Sequence, residues 1–274
     1  MAVKWIAIGL VLLFATVTLI PLGMMFTGSL KGLYEYQGAA SRVLPRTPTL
    51  ENYAALLNYP TLRWFGNSAF IAVVGTVMAM SLSVSVAFGV AKYSFRGSSL
   101  ILGAIVLSIV MPAYATTIPS YIIARGIGLY NSLWAVIIPS LFDAGAVWFL
   151  IKFMRAIPND LVGMGKLDGL GPFGLLWHVI VPMATPAIAA LSSMRLVASW
   201  QNYLWPMIML RKRELLTLPV GVREVIFLES FHHDNWPNPG IGLAGAVVVT
   251  IPGIILFLLT QKYFVKGLFN KAGD

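Results

Sequence analysis

Residues 5–26 read WIAIGLVLLFATVTLIPLGMMF, without one charged side chain. About 20 consecutive apolar residues suffice for a helix to cross the hydrocarbon of a bilayer. Comparable runs recur at about 64–91, 100–122, 133–153, 177–210 and 242–264. This pattern predicts an all-α polytopic membrane protein, one transmembrane domain over 1–274 with a span on each of the six runs. Lys4 precedes the first run as in a secretory leader, but that run is about twice the length of a leader's apolar core, so a retained helix is expected. The fifth run exceeds the need of a bilayer and is expected to tilt or to begin outside the membrane.

Only 11% of the chain is charged and 58% is hydrophobic. The net charge of +9 is dispersed rather than gathered in a run with interleaved aromatics, so it reads as membrane-flanking charge and not as a nucleic-acid surface. Lysines and arginines divide evenly between the two sides that six spans create, so charge alone does not orient the chain. The absence of cysteine excludes disulfides and thiolate metal sites. His178, His232 and His233 lack partners at metal-ligand spacing, and no metal is expected.

Three polar pieces separate the runs. The first contains LPRTPTLENY (44–53), where Thr49 is placed to cap a short helix carrying Tyr53, Ala54 and Leu57. The second, residues 154–176, contains GMGKLDGLGPFG (163–174). Its Gly169–Gly174 portion matches the dinucleotide fingerprint G-x-G-x-x-G by letter only, since no strand leads into it and 188–194 offers no acidic residue. A Walker loop fails as well, because Leu167 follows Lys166 and Asp160 holds the place of the first glycine. The linker instead has the grammar of a short amphipathic helix. Pro158 ends what precedes, Asn159 or Asp160 is available as cap, Leu161, Met164, Leu167 and Leu170 recur every three residues, and Asp168-Gly169 supplies an end. Each interior glycine costs about 1 kcal/mol against alanine, so this helix needs a partner surface. The third piece lies between the fifth and sixth runs.

The segment IPNDLVGMGKLDGLGPFGLLWHVIVPMATPAI (157–188) resembles the cytoplasmic EAA loop of ABC importer permeases of the maltose-type carbohydrate-uptake family. Ile157, Pro158, Leu161, Asp168, Gly169, Pro182 and Pro186 match that pattern. Leu167 stands for its isoleucine and Asp160 for its first glutamate, while Gly163, Met164 and Gly165 replace Glu-Ala-Ala. TPTLENYAALL (47–57), NSAFIAVVGTVMAMSLSVSVAFGVAKYSF (67–95), MPAYATTIPSYIIARGIGLYNSLWAVIIP (111–139), WQNYLWPMIML (200–210) and QKYFVKGL (261–268) resemble further family segments in the same order.

The resemblance implies a type I importer permease fold in a bacterial or archaeal inner membrane, with termini and linker in the cytoplasm. It implies a non-catalytic subunit working by alternating access with a companion permease in a heterodimer, an ABC ATPase dimer and an extracytoplasmic sugar-binding protein. ATP and magnesium are then bound by the ATPase and this chain holds no cofactor. The coupling segment is 157–176: Leu161, Met164 and Leu167 fill the ATPase cleft, Asp168 and Gly169 fix the turn, and Lys166 and Gly163 face the partner without the motif's carboxylate. The substrate is a di- or oligosaccharide, with glycerol phosphate, a polyamine, or a secondary transporter as the alternatives.

Sugar hydroxyls need hydrogen-bond partners and sugar faces stack on aromatic rings. The pathway candidates are therefore Asp143, Arg195, Trp200, Gln201, Asn202 and Tyr203, with mutual pairing of Asp143 and Arg195 as the plain reading of the two charges. Trp205, Trp236 and Tyr263 are expected as interfacial anchors, and Pro112 and Pro119 as bends in the third span.

Overall fold

The fold is seen in a computed structural model that describes the backbone of residues 2–38, 43–232 and 238–269. Every regular element among the described residues is a helix. The order is α1 (Ala2–Ser29), α2 (Leu33–Gly38), α3 (Glu51–Leu56), α4 (Thr61–Lys92), α5 (Ser98–Val110), α6 (Thr117–Gly126), α7 (Trp134–Ile137), α8 (Ala144–Arg155), α9 (Asn159–Leu167), α10 (Pro172–Leu175), α11 (Val181–Gln201), α12 (Leu204–Met209), α13 (Leu218–His232) and α14 (Pro239–Phe269).

Lys4–Ser29, Thr61–Lys92, Pro172–Gln201 and Pro239–Lys262 are each long and apolar enough to cross a membrane. Two bent pairs pass the same test together, Ser98–Val110 with Tyr114–Gly126 at 102° and Trp134–Ser140 with Ala144–Arg155 at 43°, so the candidates number four, or six if each pair is one span. The spans expected at 100–122 and 133–153 are thus broken helices, the first at the Pro112 bend that the sequence suggests and the second at an unexpected break. Met111 and Pro112 are extended, with ψ near 127° at both, which ends α5. Pro119 bends nothing, because it lies in the first turn of α6, where a missing N–H is no loss. The fifth run starts at Pro172, ahead of the expected Trp177, and winds as a π-helix over Leu176–Ile180 just before Pro182, whose ring removes an i→i−4 bond. It stops at Gln201, because Asn202 is extended (ψ 120°), and α12 is a separate short helix.

Two compact units divide the chain, 1–65 with 217–252 and 66–216 with 253–274. In the first, the TLENY stretch closes the end of α1. Thr49 donates its N–H to Leu30 O (2.9 Å), and its hydroxyl accepts from the Glu51 N–H (3.2 Å), although the N-cap of α3 is Leu50 rather than Thr49. Asn52, 2% exposed, donates to Ser29 O and Lys31 O at 2.8 Å each and accepts from Asn238 Nδ2 at 3.1 Å. Tyr53 Oη meets Ser29 Oγ at 2.7 Å. The carbonyls left over where a helix stops are thereby satisfied without water. Glu35 accepts the N–H groups of Arg46 and Thr47, and these bonds hold its carboxyl below the usual carboxylate range.

In the second unit, α4, α5, α8 and α11 share a core in which Met80, Ala87, Phe88, Ile105, Val147, Leu150, Ile151, Met154 and Ala184 are buried. Val147, Leu150, Ile151 and Met154 recur at helical spacing and form the inner face of α8. Lipid is as apolar as leucine, so close packing rather than transfer from water holds such helices together. The segment 157–180 lies at one end of this core, contributing Ile157, Val162, Leu175, Leu176 and Ile180. Replacing Asn52 with Leu is expected to lower stability by about 3 kcal/mol, because a buried and a half-buried carbonyl lose their donor; thermal unfolding in detergent measures it, and Asn52→Asp, which keeps the shape but also lacks the donor, is expected to be destabilised as well.

Candidate functional site

Two regions of the second unit bring chemically useful groups together. The first is the linker helix α9. Its start and its Asp168-Gly169 end fall where the sequence places them, but its cap differs. Neither Asn159 nor Asp160 caps it, and Asn159 Oδ1 instead accepts from Lys92 Nζ (3.0 Å), which also donates to Ile157 O at 2.6 Å. The last residue of α4 is thus bound to the first turn of α9. The next residue, Tyr93, lies under Lys166 Nζ at 5.8 Å from the ring centroid, near the other end of the helix. Tyr93 packs edge-on against the buried Phe88. Lys92 and Tyr93 escape a sequence search for docking residues because they belong to another helix; the one available signal is the segment VAKYSF that closes the second run.

The helix ends by left-handed backbone at Gly169 (φ +81°), with Gly169 N–H donating to Lys166 O (3.0 Å) and Leu170 N–H to Gly165 O (2.9 Å). This double bond pattern is the Schellman termination, and a side chain at 169 would strain it. Gly165 serves closeness instead: a Cβ there would stand 2.7 Å from Leu175 Cδ2 and would make that side chain shift, so the helix lies directly on the following segment.

The expected apolar stripe does not stay on one face. Residues three apart on a helix drift by about 60° per step. Leu161 therefore leans inward with the buried Val162 and Gly165, whereas Met164 is 61% and Leu167 90% exposed. Phe173 and Trp177 continue the exposed apolar surface beyond the turn. Gly163, where the resembling family has glutamate, faces open space with no atom within 4 Å of a Cβ, and Asp168 is exposed at the C-cap.

The second region is the break before α8. Asp143 is not inside a helix but is the N-cap of α8, accepting the Ala146 N–H at 2.9 Å. Arg195 of α11 reaches Asp143 Oδ2 at 3.5 Å and donates through Nη2 to the Ser140 carbonyl, the last residue before the break. One ion pair thus serves both orphaned ends, the guanidinium at the carbonyl end and the carboxylate at the N–H end, which are the signs that the helix dipoles favour. Ser140, Asp143, Leu191, Met194, Arg195 and Asn202 line a cavity of about 470 Å³. A second cavity of about 480 Å³ is lined by Tyr114, Thr117, Ser120, Ser140, Asn202 and Trp205. Ser140 and Asn202 line both.

Of the tetrad 200–203, Asn202 lines these two cavities. Trp200 is 3% exposed and lies near Gly253, Gln201 is exposed, and Tyr203 is half-buried. Trp205 is not simply an interfacial anchor, since its Nε1 donates to Ala135 O at 3.0 Å while its ring lines the second cavity. Trp236 and the side chain of Tyr263 lie outside the described residues.

A family model for the "binding-protein-dependent transport system inner membrane component" matches residues 79–270. The arabinooligosaccharides transport system permease protein AraQ of Bacillus subtilis (strain 168) is 30% identical over 254 residues, covering 91% of this chain and 88% of that protein. The trehalose transport system permease protein SugB of Mycobacterium tuberculosis (strain CDC 1551 / Oshkosh) is 30% identical over 257 residues, covering 93% and 92%. Among solved structures, a chain of a bacterial ABC transporter involved in the import of the acidic polysaccharide alginate shares the fold, with a TM-score of 0.85, 23% identity and 96% coverage of each chain.

Removing the Lys92 ammonium takes a charge-assisted donor from Ile157 O, a loss of about 1.5–3 kcal/mol. Amide hydrogen exchange in 160–167 is therefore expected to accelerate at least tenfold in Lys92→Met and to stay near wild type in Lys92→Arg.

Proposed function

The chain belongs to the binding-protein-dependent transport system inner membrane component family, and on that premise we propose that it is the permease subunit of an ABC importer for a di- or oligosaccharide. The observation that carries the sugar reading is its similarity, over about nine tenths of its length, to permeases named for arabinooligosaccharides and trehalose. Hydroxyl, amide and aromatic groups around the two cavities fit a solute whose surface alternates hydroxyls and apolar ring faces.

In this reading each bent pair is one span, giving six, and the termini and α9 face the cytoplasm. The exposed surface of Met164, Leu167, Phe173 and Trp177 seats α9 in the cleft of a separate ATPase, which binds ATP and magnesium. A companion permease completes the pathway and an extracytoplasmic binding protein delivers the sugar. Lys92 and Tyr93 make α9 one body with the end of α4, so movement of the docked helix is delivered to a span. Leu161, facing the core, and Gly169, shaping the turn, hold the helix in place, while Gly163, Lys166 and Asp168 present its polar rim.

The whole assembly tests this. ATP hydrolysis is expected to rise when the binding protein is loaded with an arabino-oligosaccharide or trehalose and to stay basal with the empty protein. A chain that purifies alone as a stable ion-conducting protein would sink the proposal. Leu167→Asp is expected to lower ATPase retention at least tenfold. Gly163→Glu meets no steric obstacle and gains about 0.5 kcal/mol of helix propensity, so retention should rise; a fall would show that this rim is not at the interface.

A further inference from the structure

We propose that the cavity beside the Asp143–Arg195 pair selects neutral saccharides and rejects acidic ones, with Asp143 as the residue that sets the selectivity. This rests on the reading of the chain as a sugar permease and concerns which sugars its cavity tolerates.

An arginine in a membrane cavity would ordinarily mark a site for an anion such as a uronate carboxylate. Here its donors are turned away from a solute. Nη2 is committed to the Ser140 carbonyl, with the Ser140 hydroxyl at 3.4 Å, Nη1 faces Asp143, and Nε, though without a hydrogen-bond partner, is buried away from the cavity's solvent. The start of α8, a second natural attractor of anions, is already capped by the Asp143 carboxylate through the Ala146 N–H. What the cavity exposes is the acid: the Asp143 side chain is 36% exposed against 15% for Arg195.

Asp143 Oδ1 takes the backbone N–H, which leaves acceptor capacity on Oδ2 for a hydroxyl donor. Ser199 and Asn202 add neutral polar partners, and Leu191 and Met194 supply apolar wall. A neutral pair with its acceptor outward suits a polyol, whose hydroxyls donate to the carboxylate. A sugar carboxylate in the same place would face a like charge across a medium that screens poorly. The alginate importer sharing the fold carries an acidic polysaccharide, so the fold itself does not fix this property.

The test uses the assembled transporter in lipid nanodiscs without its binding protein, so that selectivity of the membrane part is read alone. Trehalose, lactose and arabinotriose are the neutral probes and digalacturonate the acidic one, each followed by saturation-transfer NMR. At least one neutral probe is expected to bind, with digalacturonate at least tenfold weaker. Asp143→Asn, which keeps the cap but removes the charge, should bring digalacturonate to within about threefold. Ala198→Lys, an exposed position on the same cavity, should favour digalacturonate while leaving the pair intact. Digalacturonate binding to the wild type as tightly as the neutral probes, or an unchanged ratio in both variants, would overturn the selectivity and leave the sugar reading standing. Silence from all four probes would instead remove the cavity from the sugar route, and the proposal with it.

Discussion

A helix that stops away from water leaves carbonyls and amides that must find partners within the protein, and the Asp143–Arg195 pair is how this chain meets that constraint at the break before α8. The break between 140 and 144 has one orphaned end of each polarity. A guanidinium and a carboxylate from two helices answer them together, and each also neutralises the other. The cavities follow from this. Backbone can leave the helix only where such groups receive it, and Ser140, Asp143 and Asn202, which line the cavities, all sit where helices begin or end.

The same logic governs the linker at the end of the second unit's core. A nine-residue helix with two interior glycines has little intrinsic stability. It is held by contacts at both ends, Lys92 on the Ile157 carbonyl at the start and the Schellman pair on Gly165 and Lys166 carbonyls at the finish. Gly165 lets the helix lie flat on Leu175, which turns Val162 inward and leaves Met164 and Leu167 without intramolecular cover. Order is therefore supplied from behind the helix, and its front stays exposed.

Much of this was legible in the sequence, for identifiable reasons. Long apolar runs located α1, α4 and α14 to within a few residues, and the Pro158 and Asp168-Gly169 signals bounded α9, because length, a missing N–H and a left-handed glycine act locally. The break at Pro112 was legible, whereas the break in 133–153 was read through although Pro139 and the N-cap Asp143 mark it locally; what the sequence does not encode is that Arg195, some fifty positions away on another helix, meets its carbonyl end. The three-residue leucine spacing was seen, but it misled because it winds around a helix rather than along it, which separates Leu161 from Leu167. Asn159, one of two residues with the grammar of a cap, serves instead as the acceptor for Lys92, a tertiary partner that local grammar does not encode. Trp205 and Trp200 show the same limit, since a tryptophan read alone carries no sign of whether it meets lipid, cavity or core.

Ser140 and Asn202 belong to the walls of both cavities. The Ser140 hydroxyl is already bonded to the carbonyls of Val136 and Ile137, and Asn202 sits at an extended residue between two helices, so both are fixed points rather than mobile arms. The wall that the two chambers share is thus a stationary one, and its polar groups are offered to both sides from a single pair of anchored positions.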